Sequence, residues 1–134
     1  MTTWTALERW ALRLPETLST PSYGGAPALR VNKKMFARLR GEMAEHVDEL
    51  TGAPYGEVLM VGVGDLGEKE ALLSSEGEVF STIPHYDGYA AVLVRLARAD
   101  DAEVRELLVE AWMRSAPKRA LTAYVDTIGP LPGT

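Results

Sequence analysis

A polar turn that runs directly into an apolar strand constrains this fold more than any other feature of the sequence. The turn occupies residues 84–88, and residues 89–97 after it are almost all apolar. Proline and glycine favour a chain reversal at the turn, and the apolar run is far too short to cross a bilayer. We therefore expect a buried strand that presents a polar turn at its end.

The remaining pattern predicts a helix, then a run of strands, then helices. Apolar residues at three- and four-residue spacing indicate one helix that stops at Pro15 and a long helix behind the capping pair Asp100 and Glu103. Strands are expected at residues 28–31, 35–40, 58–63, 79–82 and 89–97. Shorter helices are expected at residues 42–50, at residues 69–75 behind a cap at Asp65, and at residues 117–125. This order predicts an α+β domain with a single antiparallel sheet packed by N- and C-terminal helices.

Composition restricts the class of protein. With 134 residues, of which 46% are hydrophobic, the chain suits one domain, which we expect at residues 1–126 with a flexible tail at 127–134. Because the chain has no cysteine, disulfides and thiolate metal sites are excluded. No long apolar segment or basic leader is visible, so we expect a cytoplasmic protein without membrane contact.

A basic segment interrupts an otherwise acidic chain. The formal net charge is −5, yet residues 30–40 contain five basic residues and no acid. The pattern predicts a β-hairpin turning at residues 32–34. Strict alternation in its second strand would direct Met35, Ala37 and Leu39 to the core and would leave Phe36 beside two arginines on the opposite face.

This hairpin is the leading candidate site, because basic side chains neutralise phosphates and an aromatic such as Phe36 or Tyr23 can stack on a base. We expect weak DNA binding or a regulatory role. The candidate residues are Lys33, Lys34, Arg38, Arg40, Lys118 and Arg119. The alternative is that these cations pair with the acids of residues 42–49 or keep an edge strand soluble. The acidic net charge also weighs against a protein that coats nucleic acid.

The polar turn supplies a second set of candidates, His85, Tyr86 and Asp87. Histidine can act as an acid, a base or a ligand near neutral pH, whereas the alternative is a turn without chemistry. No nucleophile motif is present and no catalytic residue is assigned, so we predict that the chain is not an enzyme. The spacing of His46 and His85 predicts no shared metal site, and no cofactor is expected.

Several segments, in order along the chain, resemble the MmcQ/YjbR family of small bacterial proteins. They are residues 14–16, 22–24, 28–39, 82–89, 92–96, 111–112 and 116–119. The resemblance implies a YjbR-like α+β fold, similar to type III secretion chaperones and to the frataxin-like CyaY fold. It also implies a DNA-binding role. A protein-interaction role through an exposed sheet face, as a monomer or a homodimer, stays open beside it. Relative to the family, residues 42–56 look like an acidic insertion.

Overall fold

The computed structural model describes residues 2–22, 25–40 and 56–132, apart from the side chain of His85. The helices are α1 (Trp4–Ala11), α2 (Leu66–Ser75), α3 (Asp101–Ser115) and α4 (Lys118–Thr127). The strands are β1 (Leu18–Pro21), β2 (Pro27–Val31), β3 (Lys34–Leu39), β4 (Val58–Gly62), β5 (Phe80–Ser81) and β6 (Ala91–Arg95). The helix predicted at residues 42–50 lies outside the described residues.

The described strands form one sheet in the order β1-β2-β3-β4-β6-β5, and every neighbouring pair is antiparallel. Helix α3 lies over the middle strands, and α1 packs beside it. The main core fills the space between the helices and one face of the sheet, which we call the helix face. The predicted α+β fold with a single antiparallel sheet is therefore confirmed.

Side chains at three helix starts satisfy backbone donors that the helix itself leaves unpaired. Thr3 Oγ1 accepts the N–H of Ala6 at 3.3 Å, at the start of α1. Asp65 Oδ1 accepts the N–H of Glu68 at 2.8 Å, and Asp100 Oδ2 accepts the N–H of Glu103 at 3.1 Å. The caps predicted for α2 and α3 are confirmed.

The strict alternation predicted along β3 is wrong, because the pairing with β2 shifts by one residue. Leu29 pairs with Ala37 but Arg30 pairs with Met35, so Phe36 is an extra residue in β3. Phe36 and Ala37 are both buried in the main core, whereas Met35 is 36% exposed. Phe36 is therefore a core residue and not a surface for stacking bases.

Several element ends also differ from the predicted ones. Strand β5 lacks Val79 and Thr82 of the predicted range, and β6 begins two residues later than predicted and gives way at its end to a turn of 3₁₀-helix at Leu96–Arg98. A second such turn occupies Pro84–Tyr86. Helix α4 continues to Thr127, and beyond it Leu131 packs against the main core. The flexibility of residues 127–134 stays a prediction. In the described part of the chain, no helix is both long and apolar enough to cross a membrane.

The carboxyl of Glu110 in α3 titrates unusually. Partial burial raises its pKa above the ordinary value of 4.5, the carboxylates of Glu68 and Glu106 raise it further, and Arg114 lowers it. The folded state therefore favours the protonated form of Glu110. The contribution of this carboxyl to the free energy of unfolding is present at low pH and is lost as pH rises through and above 4.5.

Changing Glu110 to glutamine should therefore stabilise the protein at pH 7 but not at pH 4. We expect a gain of at most about 0.5 kcal/mol, because the carboxyl is largely hydrated and its interactions are screened. Thermal unfolding at several pH values measures it, with the exposed Glu78→Gln as the control. A gain of the same size at pH 4 and pH 7 would contradict this explanation.

Candidate functional site

The sheet face that is turned away from the main core carries four arginines, which we call the arginine face. Cross-strand partners share a face, so Arg38, which pairs with Met60, lies on the side opposite the main core. Register places the other three, Arg30, Arg40 and Arg95, on the same side. Beneath them lies a small second cluster formed by Val58, Met60 and Leu93.

The strands of this sheet are free of negative charge. None of the six described strands contains an aspartate or a glutamate. Glu57, which directly precedes β4, uses its Oε1 to accept the N–H of Trp4 at 3.0 Å. The described strands therefore contribute only positive charge to the arginine face, although the whole chain carries a formal −5.

The tyrosine of the polar turn meets the arginines of β3. The Tyr86 hydroxyl accepts a hydrogen bond from Arg40 Nη1 at 2.6 Å and a longer one from Arg38 Nη2 at 3.4 Å. The guanidinium carbon of Arg40 lies 5.2 Å from the centre of the Tyr86 ring. Two groups that the sequence indicated separately, the basic strand and the polar turn, therefore form one site.

A buried lysine from α2 fixes this turn in place. Lys69 is only 6% exposed, and its Nζ donates to the carbonyl oxygens of Tyr86 at 2.7 Å and Tyr89 at 2.9 Å. Sequence reasoning missed Lys69. Its spacing gave little signal, because Leu66, three residues before it, is 51% exposed and Leu72, three residues after it, is only partly buried.

The other members of the turn lie apart from the arginine contact. Asp87 is exposed and lines a groove of about 320 Å³ between the turn and α2, together with Thr82 and Glu70. Gly88 has a φ of +80°, which a residue with a side chain rarely adopts. The backbone of His85 belongs to the turn. The ligand role of His85, Tyr86 and Asp87 stays a prediction.

Lys34 does not extend the arginine face, and Lys33 lies in the hairpin turn. Asn32 and Lys33 form a two-residue turn with φ values of 53° and 64°, as a tight hairpin requires. Lys34 pairs with Val31, whose side chain is in the main core, so Lys34 projects on the helix face. The predicted cluster of four basic residues is therefore divided, with Arg38 and Arg40 on one side and Lys34 on the other.

Lys118 and Arg119 also lie away from the arginine face. They begin α4, which packs through Ala120 and Tyr124 into the main core. Arg119 makes two hydrogen bonds to the Glu16 carboxylate, at 2.7 and 2.8 Å. These hydrogen bonds are the main reason that the pKa of Arg119 is raised. The structure thus places these two residues in the helix layer.

Two other sequence-based predictions fall outside the described residues: stacking by Tyr23 and ion pairs from the acids of residues 42–49. Among the described residues, no three histidine, aspartate or glutamate side chains are grouped closely enough to hold a metal ion.

A family model described as YjbR matches residues 12–114, which is most of the chain. The chain belongs to the YjbR family. The matched region contains the arginine face, the Tyr86 turn and Lys69 in this YjbR protein. The chain is 37% identical over 133 residues to uncharacterized proteins of Mycobacterium bovis and Mycobacterium tuberculosis. These alignments cover 96% of this chain and 100% of each relative.

Proposed function

We propose that the arginine face of this YjbR-family protein binds the phosphate backbone of nucleic acid weakly. The observation that supports the proposal most is the charge of the sheet: four arginines share one face, and the six described strands contain no acid. A planar guanidinium offers paired N–H donors that match phosphate oxygens.

Tyr86 supports this role because it orients the arginines without neutralising them. A phenol hydroxyl is a neutral acceptor, so Arg40 keeps its full charge while its direction is fixed by the 2.6 Å bond. A phosphate oxygen is a charged acceptor and forms a stronger hydrogen bond to the same guanidinium. Binding then exchanges a neutral partner for an anionic one at a site that is already ordered.

The spacing of the arginines suits an extended chain of phosphates. Arg40 lies beside Val58, and Val58 pairs with Arg95, so the two arginines are separated by one strand. Neighbouring strands are about 4.8 Å apart, which sets their Cα atoms about 10 Å from each other. Long side chains across such a distance can contact successive phosphates, whereas the acidic net charge of the protein keeps the affinity low.

Backbone NMR spectra recorded with a mixed-sequence single-stranded oligonucleotide at low salt test the proposal. We expect the largest shifts in β2, β3, β4 and β6 and in the turn around Tyr86, and we expect them to disappear at high salt. A duplex of the same sequence shows whether the arginine face prefers single-stranded or double-stranded nucleic acid. The proposal fails if no residue shifts at low salt, or if the shifts are confined to α1, α3 and α4.

A second candidate role, binding of a protein partner, is favoured by two exposed apolar residues on the same face. Leu18 is 62% exposed on the edge strand β1, and Met35 is 36% exposed next to it across Arg30. A dilution series in the same spectra separates the roles. The protein-binding role would replace the nucleic-acid role if the signals of Leu18 and Met35 shifted with protein concentration and no signal responded to oligonucleotide.

A further inference from the structure

A second cationic groove lies in the helix layer, away from the arginine face. Its lining includes Arg9, Trp10 and Arg13 from α1 and the turn after it, together with Arg105 from α3, and its volume is about 240 Å³. Arg9 and Arg13 are exposed, and Trp10 is half-buried. No acidic side chain belongs to the lining that the structure describes.

The arginines of this groove have few partners. Within the described part of the chain, the side chains of Arg9 and Arg13 make no hydrogen bond or ion pair. Arg105 Nε lies 2.8 Å from Asp101 Oδ2, and its guanidinium carbon lies 5.3 Å from the centre of the Trp10 ring. Glu8, next to Arg9 in the sequence, is not part of the groove lining, and its carboxylate accepts the Ser19 hydroxyl at 2.6 Å.

Several other arginines are bonded to acceptors of the protein itself. Arg30 donates to the Thr20 hydroxyl, Arg114 to the Gly62 carbonyl and Arg119 to the Glu16 carboxylate. By contrast, the groove brings together three guanidiniums, of which only that of Arg105 is paired with a carboxylate in the described part of the chain. Like charges that share a small volume repel one another, and a bound anion converts this repulsion into attraction.

We propose that this groove binds the phosphate group of a small phosphate monoester. Clusters of arginine are a recurring means of phosphate recognition, because their forked N–H donors fit its oxygens. The indole of Trp10 supplies an apolar wall for the organic part of the ligand. The site is separate from the arginine face in position and residues, so it does not depend on the proposed function.

Tryptophan fluorescence offers a direct test. Trp4 is 6% exposed and Trp112 is fully buried, so the half-buried Trp10 is the indole most accessible to a ligand. The protein is titrated with inorganic phosphate and with phenyl phosphate at constant ionic strength, with sodium chloride as the reference. We expect saturable changes for both phosphates, tighter binding of phenyl phosphate, and no saturation with chloride.

Two double variants locate the site. Arg9→Gln/Arg13→Gln should weaken phosphate binding at least about tenfold, because two charge-assisted contacts are lost. Lys33→Gln/Lys34→Gln removes the same charge from the exposed hairpin turn, outside the groove, and should leave the affinity unchanged. Calorimetry with Trp10→Phe in the Arg38→Gln/Arg40→Gln background, which retains the three groove arginines but weakens the arginine face, should still detect phosphate.

An equal response to phosphate and chloride, or equal loss in the two double variants, would overturn the proposal. So would an unchanged affinity in Arg9→Gln/Arg13→Gln. Because Arg9 and Arg13 are exposed and unbonded within the described chain, their replacement should leave the unfolding temperature unaltered.

Discussion

Changing Arg38 and Arg40 together to glutamine is expected to weaken binding of a single-stranded oligonucleotide by at least about tenfold at 50 mM salt. Both side chains converge on the Tyr86 hydroxyl, so the change removes the two guanidiniums whose positions are fixed by a common acceptor. Glutamine keeps a polar side chain but carries no charge, and it cannot bind phosphate oxygens with a charged fork. Fluorescence anisotropy of a labelled oligonucleotide measures the loss.

The matched control is Lys118→Gln/Arg119→Gln. It removes the same two charges, but from α4 in the helix layer, and we expect its affinity to stay within about twofold of the unaltered protein. Equal losses in the two variants would show that binding responds only to net charge, which would exclude a specific role for the arginine face. Thermal unfolding of both variants shows whether either change has disturbed the fold.

Changing Lys69 to methionine is expected to lower the free energy of unfolding by about 1–2 kcal/mol. Methionine fills the volume of the buried stem but removes the ammonium that donates to the carbonyls of Tyr86 and Tyr89. Each carbonyl keeps one backbone donor, from Tyr89 N–H and Ala91 N–H respectively, so the loss stays moderate. Relief of the desolvation of a buried charge offsets part of it.

Lys69→Met should also weaken oligonucleotide binding, since the turn that places Tyr86 between the arginines is no longer held by α2. Denaturant unfolding and anisotropy measure the two effects, and the exposed Lys118→Met is the control, with an expected change below about 0.5 kcal/mol. If Lys69→Met were as stable as the unaltered protein, the lysine would not be what fixes the turn.

Local sequence patterns predicted the class of fold and most of the described elements, but they missed the edge strand β1. Features that depend on residues a few positions apart can be read from one short segment of sequence. They include the caps at Asp65 and Asp100 and the long apolar stripe of α3. The extra residue in β3 was not predictable in this way. It depends on how β3 pairs with β2, and Phe36 enters the core only because of that shift in register.

The candidate site was predicted in parts but not as a whole. Arg38, Arg40 and Tyr86 were each identified, yet their contact joins residues 46 and 48 positions apart along the chain. Arg95 lies on the same face through the pairing of β4 with β6, which no local pattern reveals. Lys69 was overlooked because a lysine on a short helix is ordinarily exposed, and only the packing of α2 against the turn buries it.

The salt dependence of binding tests the arginine face most directly, because it counts the phosphates that the protein neutralises. On a single strand, log K falls against log[salt] by about 0.7 for each phosphate contact. Four arginines predict a slope of about −3 for the unaltered protein and about −1.5 for Arg38→Gln/Arg40→Gln. Identical slopes for the two proteins, or binding that does not change with salt, would contradict the account.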